Sequence, residues 1–306
     1  MVPLIIIYNH RFDQNIKKLD KIYEERFSNI YHLVPFYDGD LPNVIPVFEE
    51  SFYFQGYVPQ CKHIIERLDC DHFLFIGDDL ILNPSINETN VIEELGLNKT
   101  SGFLPWEWGM LSDIPLEWPN LFQSINSFYL DDLLLHHAPN WQKELPSRKE
   151  AIKIFEQYNF RTGKLSLKNL KGKNKKHPRF KISRNNYFKL LRKRRRSLPY
   201  PLLAAYSDIF IVAKENLNTF SKYCELFRRM KLWVEVALPT AMLISHKDVK
   251  FEKDSKWKGT TYWADENEDD MINRFEESDY KFDRFLNDMK KDELYVHPVK
   301  LSKWDN

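Results

Sequence analysis

Cysteine and glycine are both sparse in this 306-residue chain, with three of the first and nine of the second. Cys61, Cys70 and Cys224 are odd in number and have no metal-ligand spacing, which argues against a disulfide framework or a cysteine zinc site and fits reduced thiols in a cytoplasm. The apolar run Val2–Tyr8 is too short to cross a membrane, and it lacks the basic flank and small-residue cleavage site of an export signal. It reads as a strand. Without such a signal, the sequons at Asn87 and Asn98 carry little weight as glycan acceptors. No internal repeat is visible.

What is abundant is ordinary globular material: 43% hydrophobic and 29% charged residues, with a formal charge of +1. That near-neutral sum hides segregation. Between Arg161 and Arg196 there are sixteen Lys and Arg and no Asp or Glu, whereas Asp265–Glu293 is dominated by acids. The length suits one α/β domain. Its parts are an N-terminal half over 1–100, a basic insertion over 161–196, expected to be peripheral, and a second ordered block over 200–300.

Leu4–Tyr8 is a continuous apolar, β-branched run, as in a strand covered on both faces. Helical spacing follows over about Gln14–Phe27, a second strand over Asn29–Pro35, a helix over Gln60–Leu68 and a third strand over Asp71–Gly77. Alternation of this kind predicts a mostly parallel sheet flanked by helices. The aromatic, proline-punctuated stretch from Phe103 to Phe122 predicts irregular structure. Beyond the basic stretch come a strand at Asp208–Ala213, a helix over Glu215–Met230, an apolar stretch Leu232–Ile244 broken by Pro239, and an extended segment Leu294–Lys300.

The sharpest local signal is Phe73-Leu-Phe-Ile-Gly-Asp78-Asp79-Leu-Ile-Leu-Asn-Pro84. In an open α/β sheet, ligands bind beyond the carboxyl ends of the strands, and adjacent carboxylates there suit a hard divalent cation that also holds phosphate oxygens. A solvated Asp-Asp turn is the plain alternative. The second signal is Tyr295-Val-His297-Pro-Val-Lys300: imidazole suits Mn²⁺, and an ammonium is a point charge for phosphate. The third is Glu235, a lone carboxylate in the apolar run Trp233–Pro239, expensive to bury unless paired or used. It is either a functional acid–base group, with Asp208 as second candidate, or a helix-start residue meeting backbone amides, Arg228 or Arg229.

A strand ending in an aspartate pair, with a proline a few positions on, resembles the DXD metal motif of GT-A glycosyltransferases. The triplet here is Gly77-Asp78-Asp79, so the first aspartate of the pattern is absent. The resemblance implies a Rossmann-like GT-A fold and transfer of a sugar from a nucleotide-sugar donor, UDP-sugar favoured, to a glycan or lipid-linked acceptor in polysaccharide biosynthesis. It implies Mn²⁺ or Mg²⁺ on Asp79 and His297, Asp78 at the ribose or a metal-bound water, Lys300 at the pyrophosphate, and Glu235 or Asp208 as base in an inverting displacement. The nucleotide would lie at Tyr8–Arg11, where Tyr8 would stack on the base and Arg11 would meet a phosphate or cap a helix. Trp106, Glu107 and Trp108 suit sugar recognition, since flat rings cover a sugar face and a carboxylate accepts its hydroxyls; core packing is the alternative.

Two rivals are weighed. The basic stretch ending in Arg192–Arg196 would serve a nucleic-acid module, but no nucleic-acid-binding motif accompanies it, and interleaved Phe180, Tyr187 and Phe188 equally suit an anionic membrane at the inner face. A sugar-phosphate nucleotidyltransferase also uses paired aspartates and Mg²⁺, but usually opens with a glycine-rich phosphate loop, and Tyr8–Phe12 contains no glycine.

Overall fold

Strand β1 (Leu4–Ile7) is buried along its whole length, and its side chains divide by parity: Ile5 and Ile7 enter one apolar layer, Leu4 and Ile6 the other. The same division holds in β4 (His72–Gly77), where Phe73 and Phe75 face one layer and Leu74 and Ile76 the other. The structure, a computed structural model, describes residues 1–116, 119–127, 138, 140–170, 178–192, 196–262 and 268–304.

With β2 (Ile30–Pro35), β3 (Val44–Val47), β6 (Ser101–Leu104), β9 (Ile209–Ala213) and β10 (Asp248–Phe251), these strands form a seven-stranded sheet of order β10-β6-β9-β4-β1-β2-β3. Helix Gln14–Tyr23 covers one face with Ile16, Leu19 and Tyr23, and helix Tyr57–Ile65 covers the other with Tyr57, Val58, Cys61 and Ile65. The expected α/β class with helices on both faces is what is observed. The chain steps outward from β1 to β2 and β3, then returns to lay β4 on the other side of β1. Their carboxyl ends are therefore a topological switch point, where such sheets bind ligands.

The sheet is mixed, because β9 runs antiparallel to both β4 and β6. This places the residue before β9, Asp208, at the carboxyl end of β4. Two small sheets complete the site: β11 (Lys258–Thr261), β12 (Glu293–His297) and β5 (Ile81–Leu82) form one, and β7 (Glu107–Met110) with β8 (Leu203–Ala205) forms the other.

Three expectations are corrected. Pro119–Asn126 is a helix, burying Leu121, Phe122 and Ile125, where irregular structure was expected; proline suits a first helical position, whose N–H would be unpaired anyway. Val234–Ser245 is one helix through Pro239, buried on all sides, so tertiary packing outweighs the lost hydrogen bond. The basic stretch is not wholly peripheral. Leu165, Tyr187 and Leu190 join the larger apolar layer, and the Tyr187 hydroxyl donates to Ser166 O and Asn169 Oδ1 at 2.9 Å each. Lys193, Arg194 and Arg195 lie outside the described residues. Among the described residues no helix is long and apolar enough to cross a membrane.

Candidate active site

The carboxyl end of β4 is fixed on both sides. Gly77 N–H donates to Asp208 O at 2.7 Å, and Asp78 N–H donates to Ile7 O at 2.9 Å. A side chain on Gly77 would put its Cβ 3.3 Å from Asp79 Oδ1 and 3.6 Å from Asp208 Cβ, so the glycine makes room for two carboxylates. Just beyond, β5 pairs antiparallel with β12, Ile81 opposite Val296 and Leu82 opposite Tyr295. That register carries His297 over the turn. Its Nε2 lies 3.2 Å from Asp79 Oδ1 and 3.9 Å from Asp208 Oδ2.

Burial alone would lower the pKa of His297, but Asp79 and Asp208 outweigh it and raise the value to about 9. Burial would likewise raise Asp79, and the imidazolium holds it below the ordinary carboxylate range. Asp79 Oδ1 is buried, while 34% of the side chain remains open; one oxygen faces the histidine and room remains at the other. Asp78 is turned inward at 5% exposure, with Asn15 Nδ2 donating to its Oδ2 at 3.4 Å. Burial, then the neighbouring Asp79, pushes its pKa up to about 8.

Glu235 sits in the first turn of helix Val234–Ser245 at 7% exposure. Burial, then Asp208, raises its pKa well above the usual value, opposed by a hydrogen bond with Ser207. Its Oε2 has no hydrogen-bond partner among the described residues. The first-turn position of the helix-start alternative is observed, while Arg228 pairs with Glu49 and Glu225 and Arg229 with Glu144. Burial raises Asp208 too, with His297 opposing it and Asp79 adding to it. His297 Nε2 thus lies within 4 Å of both Asp79 and Asp208, and the buried Glu235 is close enough to Asp208 to feel its charge.

Other candidates fall differently. Tyr8 is fully buried, its hydroxyl 3.0 Å from His32 Nδ1, and His32 Nε2 is 2.9 Å from Asp20 Oδ1. It cannot stack on a base, which corrects the expectation. Arg11 is exposed and held by Asp13, Asp38 and Phe36 O, beside a hollow of about 330 Å³ lined by Arg11, Phe12, Asp13 and Gln14. Lys300 is exposed and follows Val299, whose N–H reaches Asp79 O. Trp106 is 55% exposed, Glu107 is ion-paired with Lys253, and Trp108 is half-buried. Sequence reasoning missed Tyr206, whose ring stacks on Tyr295 at 5.8 Å and 10° and lies 5.6 Å from His297. Only its place beside Ser207-Asp208 pointed toward it.

A divalent cation fits this donor set. Two adjacent ligands of an octahedral ion with bonds of about 2.1 Å are roughly 3 Å apart, close to the Asp79–His297 separation. Asp79 Oδ1 is buried and faces the imidazole nitrogen that would share the ion with it. Among the described residues, no group of three or more His, Cys, Asp or Glu that could hold a metal ion is present, so Asp79 and His297 would be two protein ligands at most. The remaining positions would fall to water and phosphate oxygens, the usual division for such ions.

No protein-family model matches the chain, and no curated protein matches it either. Among solved structures it is similar to core-mannan synthase A (CmsA/Ktr4) from Aspergillus fumigatus in its Mn/GDP form. The two share 10% identity with a TM-score of 0.35, over 83% of this chain and 74% of that one.

Proposed function

We propose that this chain is a divalent-cation-dependent glycosyltransferase of GT-A type, moving a sugar from a nucleotide-sugar donor to a hydroxyl of a glycan or lipid-linked acceptor. The observation that carries this reading is the placing of Asp79 Oδ1 and His297 Nε2 3.2 Å apart at the β1/β4 switch point, with Asp208 and Glu235 alongside. A cation there would hold the donor diphosphate and offset the charge of the departing group. Asp79 and His297 are its protein ligands, and the nitrogen donor favours Mn²⁺ over Mg²⁺. Lys300 and Arg11 are the cationic side chains for the phosphates, with the nucleotide in the hollow beside Arg11 and a UDP-sugar the favoured donor.

Glu235 accepts the proton of the acceptor hydroxyl in a one-step, inverting displacement. Burial raises its affinity for that proton. Asp208, 3.9 Å from His297 Nε2, adds negative charge beside the cation position. The direct test is thermal denaturation with UDP or GDP, each with and without Mn²⁺. A diphosphate that raises the melting temperature only with Mn²⁺ supports the reading by mass action. No shift with any nucleoside diphosphate overturns it.

A second interaction has its own observation. Arg184, Lys189 and Arg192 are exposed on helix Pro178–Arg192, which Tyr187 and Leu190 anchor in the core, and Arg196 beyond it is exposed too. We infer that this face holds the enzyme at an anionic lipid surface or an anionic acceptor.

A further inference from the structure

Resting on the glycosyl-transfer reading, we propose that Trp106, Trp108 and Trp233 form the platform on which a pyranose ring of the acceptor glycan lies. Asp79 and His297 meet beyond the end of β4, and Glu235, the proposed base, follows Trp233 by two residues at the start of its helix. The half-buried Trp233 is the N-cap of the Glu235 helix, held there by its own N–H donating to Ser124 Oγ at 3.1 Å. Its ring meets that of Trp108 at 5.9 Å and 34°.

Trp108 reaches this position through a break in β7. The β7–β8 register runs from Glu107 opposite Ala205 to Gly109 opposite Ala204, so Trp108 is the extra residue of a bulge. Bulges re-aim a side chain and recur beside active sites. Gly109 has φ +118, a backbone setting that L side chains rarely adopt, and a Cβ there would sit 3.0 Å from Ile114 Cγ2. The bulge therefore depends on glycine. Trp106 lies just before β7, with its carbonyl accepting from Tyr206 N–H at 3.1 Å. The Tyr206 ring packs against His297. Trp106 leaves 55% of its surface in solvent while its main chain is tied to the site.

An indole suits a sugar because it offers a flat apolar face with one N–H at its edge. A pyranose has C–H bonds on its faces and hydroxyls around its rim, so a ring lying on indoles keeps its hydroxyls free to reach Glu235. Glu107 adds nothing here, since Lys253 holds it. On the proposed mechanism the acceptor hydroxyl lies at Glu235, while the diphosphate belongs with the cation at Asp79 and His297.

The test uses the whole chain and neutral gluco-, galacto- and manno-configured tetrasaccharides, with binding read by tryptophan fluorescence and saturation-transfer NMR. The melting-temperature shift with UDP or GDP plus Mn²⁺ is measured in parallel. At least one tetrasaccharide binds the wild type. Trp106→Ala and Trp233→Ala each weaken it about tenfold, Trp233→Phe weakens it less, and the diphosphate shift is unchanged in Trp106→Ala. Trp106 is mostly exposed, so its variant folds and carries the test even if Trp233→Ala does not. Silence of all three sugars, or equal binding by wild type and Trp106→Ala, overturns the platform. Sugar binding that depends on these tryptophans, without any diphosphate shift, supports the platform and overturns the transferase reading instead.

Discussion

The main-chain N–H of Val299 donates to the carbonyl oxygen of Asp79 at 2.7 Å. The aspartate pair is therefore gripped from two directions, with β1 holding Asp78 through Ile7 O and the segment after β12 holding Asp79. Neither hold involves a carboxylate, so Asp79 keeps its side chain for other partners.

Asp79→Asn and His297→Ala should each abolish the Mn²⁺-dependent rise in melting temperature produced by the favoured nucleoside diphosphate. Turnover should fall by about 100-fold or more, as expected when a group that stabilises departing charge is lost. Isothermal titration with Mn²⁺ and the diphosphate checks the binding half. Unchanged affinity in both variants would remove these residues from the site.

Glu235→Gln should lower turnover by about 10² to 10⁴, the range of general-base catalysis, with diphosphate binding preserved. Asp208→Asn should lower both turnover and Mn²⁺ affinity, because Asp208 faces His297. Product NMR should show the donor's anomeric configuration inverted. Near wild-type turnover in Glu235→Gln, or retained configuration, would refute the base assignment.

Trp304 is 4% exposed and packs on Phe275 and Phe285 at 5.0 Å each. Trp304→Ala should cost about 3–5 kcal/mol in urea denaturation. Because Val299 in the same terminal segment holds the Asp79 carbonyl at 2.7 Å, the variant should also bind Mn²⁺ and diphosphate more weakly. A stable variant would show that this cluster does not hold the segment.

Arg274 donates to both carboxylate oxygens of Glu293, at 2.8 and 2.7 Å. Burial would raise the pKa of Glu293, but the hydrogen bonds from Arg274 and Thr260 outweigh it and hold the value below normal. A carboxyl whose folded pKa is lowered stabilises the fold above its unfolded pKa of about 4.3, and that stabilisation drains away as pH falls through the folded value. Glu293→Gln leaves Arg274 unpaired and should cost about 3 kcal/mol at pH 7. The gap from wild type should narrow below about pH 4, as read by urea titrations from pH 3 to 7. A gap that is constant with pH would mean the ion pair is not its source.

Sedimentation with phosphatidylserine vesicles should fall when Arg184, Lys189 and Arg192 are changed together to glutamate, and should weaken in wild type as salt is raised. These positions are exposed, so the melting temperature should hold. Salt-independent sedimentation, or none lost in the triple variant, would count against attachment through this face.

Much of this was legible in short patterns. The run Leu4–Ile7, the Asp-Asp turn after Ile76-Gly77 and the late His297 each announce themselves by type and order. What pairing does was not legible. Nothing in Asp208–Ala213 says that β9 runs antiparallel between β4 and β6, yet this direction puts Asp208 beside Gly77. Tyr8 looked available because it follows a strand, but His32, a residue of β2, accounts for its hydroxyl. Tyr187 and Leu190 were hidden by their basic neighbours, since apolar spacing within a charged helix is weak to read. Trp233 was read only as part of an apolar run, because its meaning depends on a bulge in a distant strand.

The pairing of β5 with β12 has a consequence in time. At ribosomal rates of about 5–20 residues per second, His297 is made on the order of ten to forty seconds after Asp79. During that interval β1 and β4 can already pair, and the aspartates stand at a strand end with no imidazolium opposite. A fragment ending between the two positions holds the strands of the switch point but only one of the two proposed cation ligands.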